Sequence, residues 1–180
     1  MSPQTINISW WNLGGAIRRR VRTNFSLRKY LKSNCDIFAY GEALAKNQRG
    51  LSLPGYFTIM HSSKPLSTNA CRRGIVIFCL EKYRQKNSKV YATNKFDIIW
   101  LCFPTDEGNV YFCFFYAPGD HHNQSLRIDF YSVLQKSFDK FSKVGKIYML
   151  GDSNARLGSI LDDRDINGVF LFQIKTNLFY

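Results

Sequence analysis

Strand-like segments outnumber helical segments along this sequence, and this imbalance limits the folds available to it. In the first segment, Thr5 to Trp11, apolar Ile6, Ile8 and Trp10 alternate with polar residues, as in a strand with one buried face. Seven further strands are predicted, over residues 36–40, 56–60, 74–80, 90–93, 98–103, 110–116 and 146–150. The turn-rich sequence at residues 106–109 predicts a hairpin between the sixth and seventh strands.

One long helix is predicted in the second half of the chain. Between Asn123 and Lys143, apolar residues recur every three or four positions and form one stripe: Leu126, Phe130, Leu134, Phe138 and Phe141. A shorter helix is predicted near residues 25–32, and a weaker helical pattern covers Val169 to Leu178. Because helices and strands do not alternate strictly, the pattern predicts an α+β layered sandwich, in one domain of 180 residues.

Basic residues are concentrated in the first part of the chain. The 25 Lys and Arg against 13 Asp and Glu give a net charge of +12. Residues 1–103 carry 17 basic and four acidic residues, whereas residues 104–180 carry eight basic and nine acidic residues. This asymmetry is typical of a protein that holds a polyanion against a site with carboxylates. The alternative explanation of this charge is a soluble surface that happens to be basic and holds no polyanion.

The composition indicates a folded protein from a reducing compartment. The hydrophobic fraction of 45% and the aromatic fraction of 16% are too high for a disordered chain. The five cysteines have no C-x-x-C spacing and three lie in apolar strand-like segments, so no structural zinc is expected. The longest apolar run, Val110 to Ala117, has eight residues, and no signal peptide is found. We therefore expect an intracellular location.

Polar residues stand at the ends of four predicted strands. These residues are Asn12, Glu42, Tyr116, Asp152 and Asn154. Polar groups at the ends of separate strands can meet at one edge of a layered fold and form a binding site. Each has a plainer alternative: a turn for Asn12 and for the Gly-Asp-x-Asn segment, a solvated carboxylate for Glu42, and a buried phenol with a backbone partner for Tyr116. The predicted site therefore depends on their combination and order.

Five short stretches resemble, in the same order, motifs of the endonuclease/exonuclease/phosphatase superfamily of deoxyribonuclease-like hydrolases. They are Ser9-Trp10-Trp11-Asn12, Asp36 to Glu42, Arg73 to Phe78, Phe115-Tyr116-Ala117-Pro118 and Leu150 to Arg156. Within the superfamily, they look most like the apurinic-type endonuclease domain of non-LTR retrotransposons, in which a Gly-Asp-x-Asn-Ala-Arg stretch is typical. The resemblance runs from about Ile8 to the C-terminus and implies a four-layered α/β/β/α sandwich.

The resemblance also implies a role for each strand-end residue in the hydrolysis of a phosphodiester. Glu42, helped by Asn12, would bind Mg²⁺ or Mn²⁺, because oxygen ligands suit these hard cations. Asp152 would orient or deprotonate the attacking water. Asn154 and Tyr116 would donate hydrogen bonds to the scissile phosphate as charge grows there.

Arginines near the predicted site are candidates for binding the DNA backbone. They form two clusters: Arg18, Arg19, Arg20 and Arg22 after Asn12, and Arg72 and Arg73 before a strand. Contacts of this kind give affinity and salt dependence without sequence information. The alternative for each arginine is a solvated surface charge. His121 and His122 are not expected to take part, because the catalytic His of the family lies much later in the chain.

Three features depart from the pattern of the family. Gly41 stands where a Gln commonly precedes the Glu, and Ser153 stands where an aromatic residue is usual; neither removes a group that the reaction needs. Family members also carry a Ser-Asp-His motif near the end of the domain, and here no His follows His122. The resemblance therefore implies a domain, residues 1–180, truncated before this motif and lacking its last strands, as a fragment or a decayed remnant. Because an acid or base group contributes about two to four orders of magnitude in rate, nicking of DNA is expected to be weak or absent.

Two functions from different classes follow from these observations. The first is a Mg²⁺-dependent DNA endonuclease domain of a retrotransposon-type protein. The second is a non-catalytic, basic nucleic-acid-binding remnant of the same fold. A phosphatase that acts on a small or lipid phosphate is a weaker alternative, which the basic first half disfavours. The first function implies DNA and a reverse transcriptase domain of a longer polyprotein as partners, no membrane association, a monomer, and a nuclear location.

Overall fold

Two stacked β-sheets form the centre of the structure, a computed structural model that describes residues 4–12, 25–43, 51–61, 74–86, 90–119, 124–154 and 170–176. The first sheet contains β1 (Gln4–Asn12), β2 (Ile37–Gly41), β3 (Tyr56–His61), β4 (Ile75–Leu80) and β9 (Phe170–Thr176), in the order β3-β4-β2-β1-β9. The second contains β5 (Val90–Ala92), β6 (Asp97–Thr105), β7 (Gly108–Tyr116) and β8 (Gly145–Asp152), in that order. The predicted hairpin is confirmed, because β6 and β7 pair antiparallel.

Each sheet contains one parallel pair of strands that is connected through a helix. β1 pairs in parallel with β2, and β7 pairs in parallel with β8. Helix α1 (Phe25–Asn34) lies between β1 and β2 in the chain, and helix α2 (Gln124–Ser142) lies between β7 and β8. Because a helix between two parallel strands runs back along the sheet, each helix begins near the carboxyl end of the strand before it. A short 3-10 helix, Glu81–Lys86, follows β4.

Three hydrophobic clusters separate four layers. The central cluster lies between the sheets and includes Ile8 and Trp10 of β1 and Phe112 and Phe114 of β7. The second cluster, between the first sheet and α1, includes Leu31, Phe38, Tyr40 and Phe78. The third, between the second sheet and α2, includes Trp100, Phe130, Leu134 and Phe141. The α+β fold is therefore a four-layered α/β/β/α sandwich, as predicted.

Helix α2 shows how the sequence pattern produces a layer. Phe130, Leu134 and Phe141 of the predicted apolar stripe are buried on the outer face of the second sheet. The ring of Phe141 packs against Trp100 with a centroid distance of 4.7 Å. Ser137, between them on the helix, accepts a 3.2 Å hydrogen bond from the indole Nε1 of Trp100, so the polar atom of this buried ring has a partner.

The segment at the end of the described chain is a strand and not a helix. The helical prediction for Val169 to Leu178 is wrong, because Phe170–Thr176 is strand β9, which pairs antiparallel with β1. Its sequence, FLFQIKT, is rich in the aromatic and β-branched residues that favour strands. The segment is too short for local interactions to stabilise a helix. Pairing with β1 instead satisfies the backbone groups on the side of β9 that faces β1.

Four cysteines lie in the part of the chain that the structure describes. Cys35, Cys79, Cys102 and Cys113 are all buried, and none forms a disulfide. Burial raises the pKa of the Cys113 thiol well above its usual value, so this residue behaves as a small apolar side chain. Neither described helix has the length and apolar character needed to cross a membrane.

Candidate functional site

Four strands end at one edge of the sandwich, which we call the site edge. In the parallel register, Asn12 at the end of β1 lies beside Gly41 at the end of β2. Tyr116 at the end of β7 lies beside Asp152 at the end of β8. Glu42 directly follows Gly41 in the chain. Because the carboxyl ends of parallel strands lie at the same edge of their sheet, each sheet brings two of the predicted residues together.

Two side-chain hydrogen bonds connect the sheets at the site edge. The Asn12 amide Nδ2 donates to Asp152 Oδ2 over 2.9 Å, across a sequence separation of 140 residues. The Tyr116 hydroxyl donates to Glu42 Oε1, across 74 residues. Asn12 is exposed, and the other three side chains are half-buried. The structure therefore brings together four of the predicted residues, two from each sheet.

The turn after β8 is held against the end of β7. Asp152 Oδ1 accepts a 2.8 Å hydrogen bond from the backbone N–H of Asn154. The carboxamide Nδ2 of Asn154 donates over 2.6 Å to the carbonyl of Ala117. In return, the Ala117 N–H donates over 2.8 Å to the carbonyl of Asp152. Asn154 has a φ of 46°, a left-handed conformation that Asn tolerates better than most residues. Both Asp152 oxygens are thus engaged and the carboxylate is fixed in orientation.

Glu42 is held in a less favourable backbone conformation. Its φ is 50°, in the left-handed region that costs a residue other than glycine roughly 1–3 kcal/mol. The Tyr116 hydroxyl holds its side chain, and the next residue, Ala43, donates its N–H to the carbonyl of Gly74 over 3.0 Å. These contacts direct the Glu42 carboxylate towards the second sheet.

Trp10 explains why glycine precedes Glu42. A Cβ added at Gly41 would lie 2.7 Å from Trp10 Cζ2 and 3.0 Å from Trp10 Cη2. The indole ring is buried, and it stacks on Phe114 with a centroid distance of 6.5 Å. The ring therefore fills the space that a side chain at position 41 would need. The departure from the family pattern at Gly41 is matched by a large residue on the neighbouring strand, which the sequence alone did not indicate.

Tyr131 is a second residue near the site that sequence reasoning missed. Its hydroxyl donates over 2.8 Å to the carbonyl of Ser153, between Asp152 and Asn154. Tyr131 lies on α2 outside the apolar stripe and is 38% exposed. An aromatic residue on the polar face of a predicted helix was the available signal. The hydrogen bond connects the helix to the turn that carries Asp152.

The oxygen atoms at the site edge suit a hard divalent cation. Glu42 and Asp152 supply two carboxylates, and Asn12 supplies an amide. In the residues that the structure describes, no group of three or more His, Cys, Asp or Glu side chains could enclose a metal. Mg²⁺ is commonly bound through one or two carboxylates, with water and substrate phosphates as further ligands. The residues present therefore fit Mg²⁺ or Mn²⁺ and do not form a closed structural metal site.

The Tyr116 hydroxyl is a proton donor at the site. Burial, followed by the hydrogen bond to Glu42, raises the pKa of Tyr116 above its usual value of 10.0, and a hydrogen bond from Asn154 acts in the opposite direction. The phenol therefore keeps its proton throughout the neutral range. Its partner is a side-chain carboxylate, so it is not the buried phenol with a backbone partner that was the alternative for this residue.

The substitution Tyr116→Phe is expected to make the folded state less sensitive to alkaline pH. Above about pH 10, the unfolded wild type loses the Tyr116 proton and the folded protein keeps it, so this group lowers the free energy of unfolding by up to about 1.4 kcal/mol per pH unit. Phe has no proton to lose. Urea denaturation between about pH 9 and 11 should therefore show the stability of the wild type falling relative to the variant. A difference that does not change with pH would contradict the raised pKa.

Several predicted residues lie outside the described part of the chain. The candidate DNA-binding residues Arg18, Arg19, Arg20, Arg22, Arg72 and Arg73 fall in residues 13–24 and 62–73, and His121 and His122 fall in residues 120–123. The remaining histidine, His61, bonds through Nε2 to the carbonyl of Phe96 over 2.9 Å. The described residues therefore supply no imidazole to the candidate site.

Comparison with known proteins supports the fold. The AP endonuclease LMAP from Leishmania major superposes with a TM-score of 0.62 and 11% identity, over 83% of this chain and 55% of that chain. The APE2 catalytic domain from Xenopus laevis superposes with a TM-score of 0.60 and 17% identity, over 83% of this chain and 59% of that chain. TDP2 from Caenorhabditis elegans superposes with a TM-score of 0.56 and 14% identity, over 84% of this chain and 48% of that chain. No family model matches the sequence, and no curated protein is significantly similar to it.

These comparisons identify the architecture. This chain has the same α/β sandwich fold as these three structures. The chain spans about half to three fifths of the length of each of them. Identities between 11% and 17% establish a common fold and not a common activity.

Proposed function

We propose that this chain is a metal-dependent endonuclease domain that cleaves phosphodiester bonds in DNA. The observation that carries the proposal is the pair of hydrogen bonds between the two sheets, Asn12 to Asp152 and Tyr116 to Glu42. They gather two carboxylates, an amide and a phenol at one exposed edge, and structural roles alone do not require this combination. The net charge of +12 suits a polyanionic substrate, and two of the similar structures are an AP endonuclease and an APE2 catalytic domain.

Each residue of the site has a distinct task in this proposal. Glu42 would hold Mg²⁺ or Mn²⁺ with the help of Asn12, and the bound cation would neutralise charge on the scissile phosphate and stabilise the leaving oxygen. Asp152 would orient the attacking water and accept its proton. Its two oxygens accept hydrogen bonds from Asn12 and Asn154, and each keeps a further lone pair for water.

Tyr116 and Asn154 would donate hydrogen bonds to the phosphate oxygens. The phenol has one proton, which Glu42 accepts in this structure. Contact between Tyr116 and a phosphate therefore requires the hydroxyl to turn away from Glu42. Asn154 donates to the carbonyl of Ala117 and its side chain also bonds to the Tyr116 hydroxyl, so a phosphate oxygen would take the place of Tyr116 at the Asn154 amide. Both contacts would strengthen as negative charge develops in the transition state.

The retrotransposon context is a finer part of the proposal. It rests on the order of the five motifs and on the stretch Gly151 to Arg156, which resembles the apurinic-type endonuclease domain of non-LTR retrotransposons. In that context, the domain would act as a monomer in the nucleus, within a polyprotein that also contains a reverse transcriptase. Nicking of chromosomal DNA would then supply a primer for reverse transcription.

A second candidate is a basic nucleic-acid-binding domain without catalysis. One observation favours it: among the described residues, no histidine reaches the site edge, since His61 bonds to Phe96. The loss of an acid or base group costs about two to four orders of magnitude in rate. DNA binding with full affinity, but without nicking, would support this second function.

The substitution Glu42→Gln tests the metal site directly. Binding at a Mg²⁺ concentration about 100-fold above the dissociation constant adds about 2.7 kcal/mol to the free energy of unfolding. For a chain of this size, that is a rise of roughly 5–11 °C in melting temperature. Gln keeps an oxygen that accepts the Tyr116 hydrogen bond but removes the charge that attracts the cation. The rise with Mg²⁺ or Mn²⁺ should therefore occur in the wild type and disappear in the variant, together with any nicking of supercoiled plasmid.

Glu81→Gln is the matched control. Glu81 lies on the 3-10 helix after β4 and forms an exposed ion pair with Arg84, so its loss removes the same charge away from the site edge. This variant should keep the metal-dependent rise in melting temperature. An equal rise in all three proteins would place the metal elsewhere and contradict the proposed role of Glu42.

A further inference from the structure

Helix α1 carries a basic groove that the predicted site does not include. The groove has a volume of about 360 Å³ and is lined by Arg28, Lys29, Lys32 and Ser33; we call it the α1 groove. At 100° per residue, these four positions cover a continuous arc of about 140° on the helix. Three cations therefore lie side by side on one face.

No carboxylate neutralises these cations within the described part of the chain. Helix α1 has the sequence FSLRKYLKSN, which contains no acidic residue. The ion pairs among the described residues use other cations, namely Lys82, Arg84, Lys95 and Lys146. Unpaired cations that are close together repel one another, and an anion that binds between them relieves the repulsion. The α1 groove therefore concentrates three positive charges without an acidic residue on its own helix.

The α1 groove covers the middle and the last turn of helix α1. Helix α1 returns from the end of β1 to the start of β2, so its first turn lies near the site edge and its last turn lies away from it. Leu31 fixes the helix on the sheet, since it packs in the cluster that contains Phe38 and Tyr40. Arg28 lies roughly 5 Å, and Lys32 roughly 10 Å, along the helix axis from the first residue of α1, which corresponds to roughly one to three phosphate spacings of a DNA strand.

We propose that the α1 groove binds the phosphate backbone of the DNA that is cleaved at the site edge. Arg28 and Lys32 are separated by about 6 Å along the helix axis, and a DNA strand carries one phosphate per about 3.4 Å of its own axis. The three cations can therefore contact two or three consecutive phosphates. Such contacts hold the duplex in register against the site and carry no sequence information. This inference rests on the proposed function and adds a second area of contact to it.

The test compares two variants with the same change in charge. In R28Q/K29Q/K32Q, the α1 groove loses its three cations. In K136Q/K140Q/K143Q, three exposed lysines are removed from the second half of α2 and from the residue after it, on the opposite outer layer of the sandwich. The affinity of each protein for a short fluorescein-labelled DNA duplex is measured by anisotropy between about 50 and 200 mM KCl. Thermal melts of both variants confirm that each is folded.

The slope of log affinity against log salt concentration gives the result. Each phosphate contact contributes about 0.9 to the magnitude of this slope, so the α1 variant should lose about two to three units. Its affinity at low salt should fall at least about tenfold. The α2 variant should lose less than one unit. The single substitution Lys29→Gln should lose about one unit, which excludes a general loss of folding as the cause.

The outcomes distinguish this inference from the proposed function. Equal slopes for the α1 and α2 variants, with tight binding by the wild type, would overturn the role of the α1 groove and leave the proposed function intact. A wild type that binds no duplex at any salt concentration would contradict both. Unchanged DNA binding by the α1 variant, with lost binding to phosphatidylserine vesicles, would assign the α1 groove to an anionic lipid surface and overturn the inference.

Discussion

Replacement of Asp152 by asparagine is expected to lower the rate of DNA nicking by two to four orders of magnitude, the typical contribution of an acid or base group. The carboxylate lies at the end of β8 with both oxygens engaged, one by the Asn12 amide and one by the Asn154 N–H. Asparagine keeps the size of the side chain and one oxygen but cannot accept a proton from water. The fold and the metal-dependent rise in melting temperature should therefore change little.

The measurement must detect slow cleavage, because the described residues supply no histidine to the site edge. A supercoiled plasmid is incubated with excess protein and Mg²⁺, so that one nick per molecule converts it to the relaxed form. Asp139→Asn is the matched control, since Asp139 is an exposed carboxylate on α2 that accepts a 2.8 Å hydrogen bond from Gln135. Nicking by Asp152→Asn at the wild-type rate would remove Asp152 from the mechanism. No nicking by the wild type would favour the binding-only alternative.

An exchange variant separates catalysis from structure at the same pair. In Asn12→Asp/Asp152→Asn, the two residues trade places and the hydrogen bond between the sheets can form again. A purely structural role for the pair predicts that the exchange restores both the melting temperature and nicking. A catalytic role for Asp152 predicts recovery of the melting temperature alone. The comparison of the two single variants with the exchange variant forms a double-mutant cycle, which isolates the coupling energy of the pair.

The sequence predicted the elements whose signals are local. Strand β1 and helix α2 were predicted because the periods of their apolar residues are clear over nine and 19 residues. Strand β9 was not, because a seven-residue segment has little local preference and pairing with β1, at the other end of the chain, decides its conformation. Local pattern and nonlocal pairing disagree there, and pairing determines the structure.

The same distinction holds for the site. Polar residues at strand ends indicated which side chains would meet, but not which pairs would form hydrogen bonds. Asn12 reaches Asp152, and Glu42 reaches Tyr116, because two parallel strand pairs in different sheets end at one edge. The fit of Trp10 above Gly41 could not be predicted either, because it depends on the space between neighbouring strands.

Two glycines of β8 provide a matched pair for testing how the end of that strand supports the site. A Cβ added at Gly151 would overlap the carbonyl oxygen of Phe115, and one added at Gly145 would overlap the carbonyl oxygen of Asn109. Both positions pair with β7 in the same parallel register, six residues apart. The obstruction is backbone in both cases, so β8 must move away from β7 to accommodate alanine. We expect each substitution to destabilise the fold by about 1–3 kcal/mol, which lowers the melting temperature by roughly 2–12 °C.

The two variants should differ in what happens at the site edge. Gly151→Ala displaces the residue next to Asp152, and a shift of about 1 Å in a catalytic group can cost about 100-fold in rate. Gly145→Ala displaces the start of the strand, about 20 Å from Gly151 along the strand. Its nicking rate should therefore stay within about twofold of the wild-type rate when the two proteins are compared at equal folded fraction. Nicking is therefore measured at least 10 °C below the lower of the two melting temperatures, where both proteins are folded. If both variants lost nicking equally, the effect would reflect general instability of β8, and the geometry between Tyr116 and Asp152 would not control cleavage.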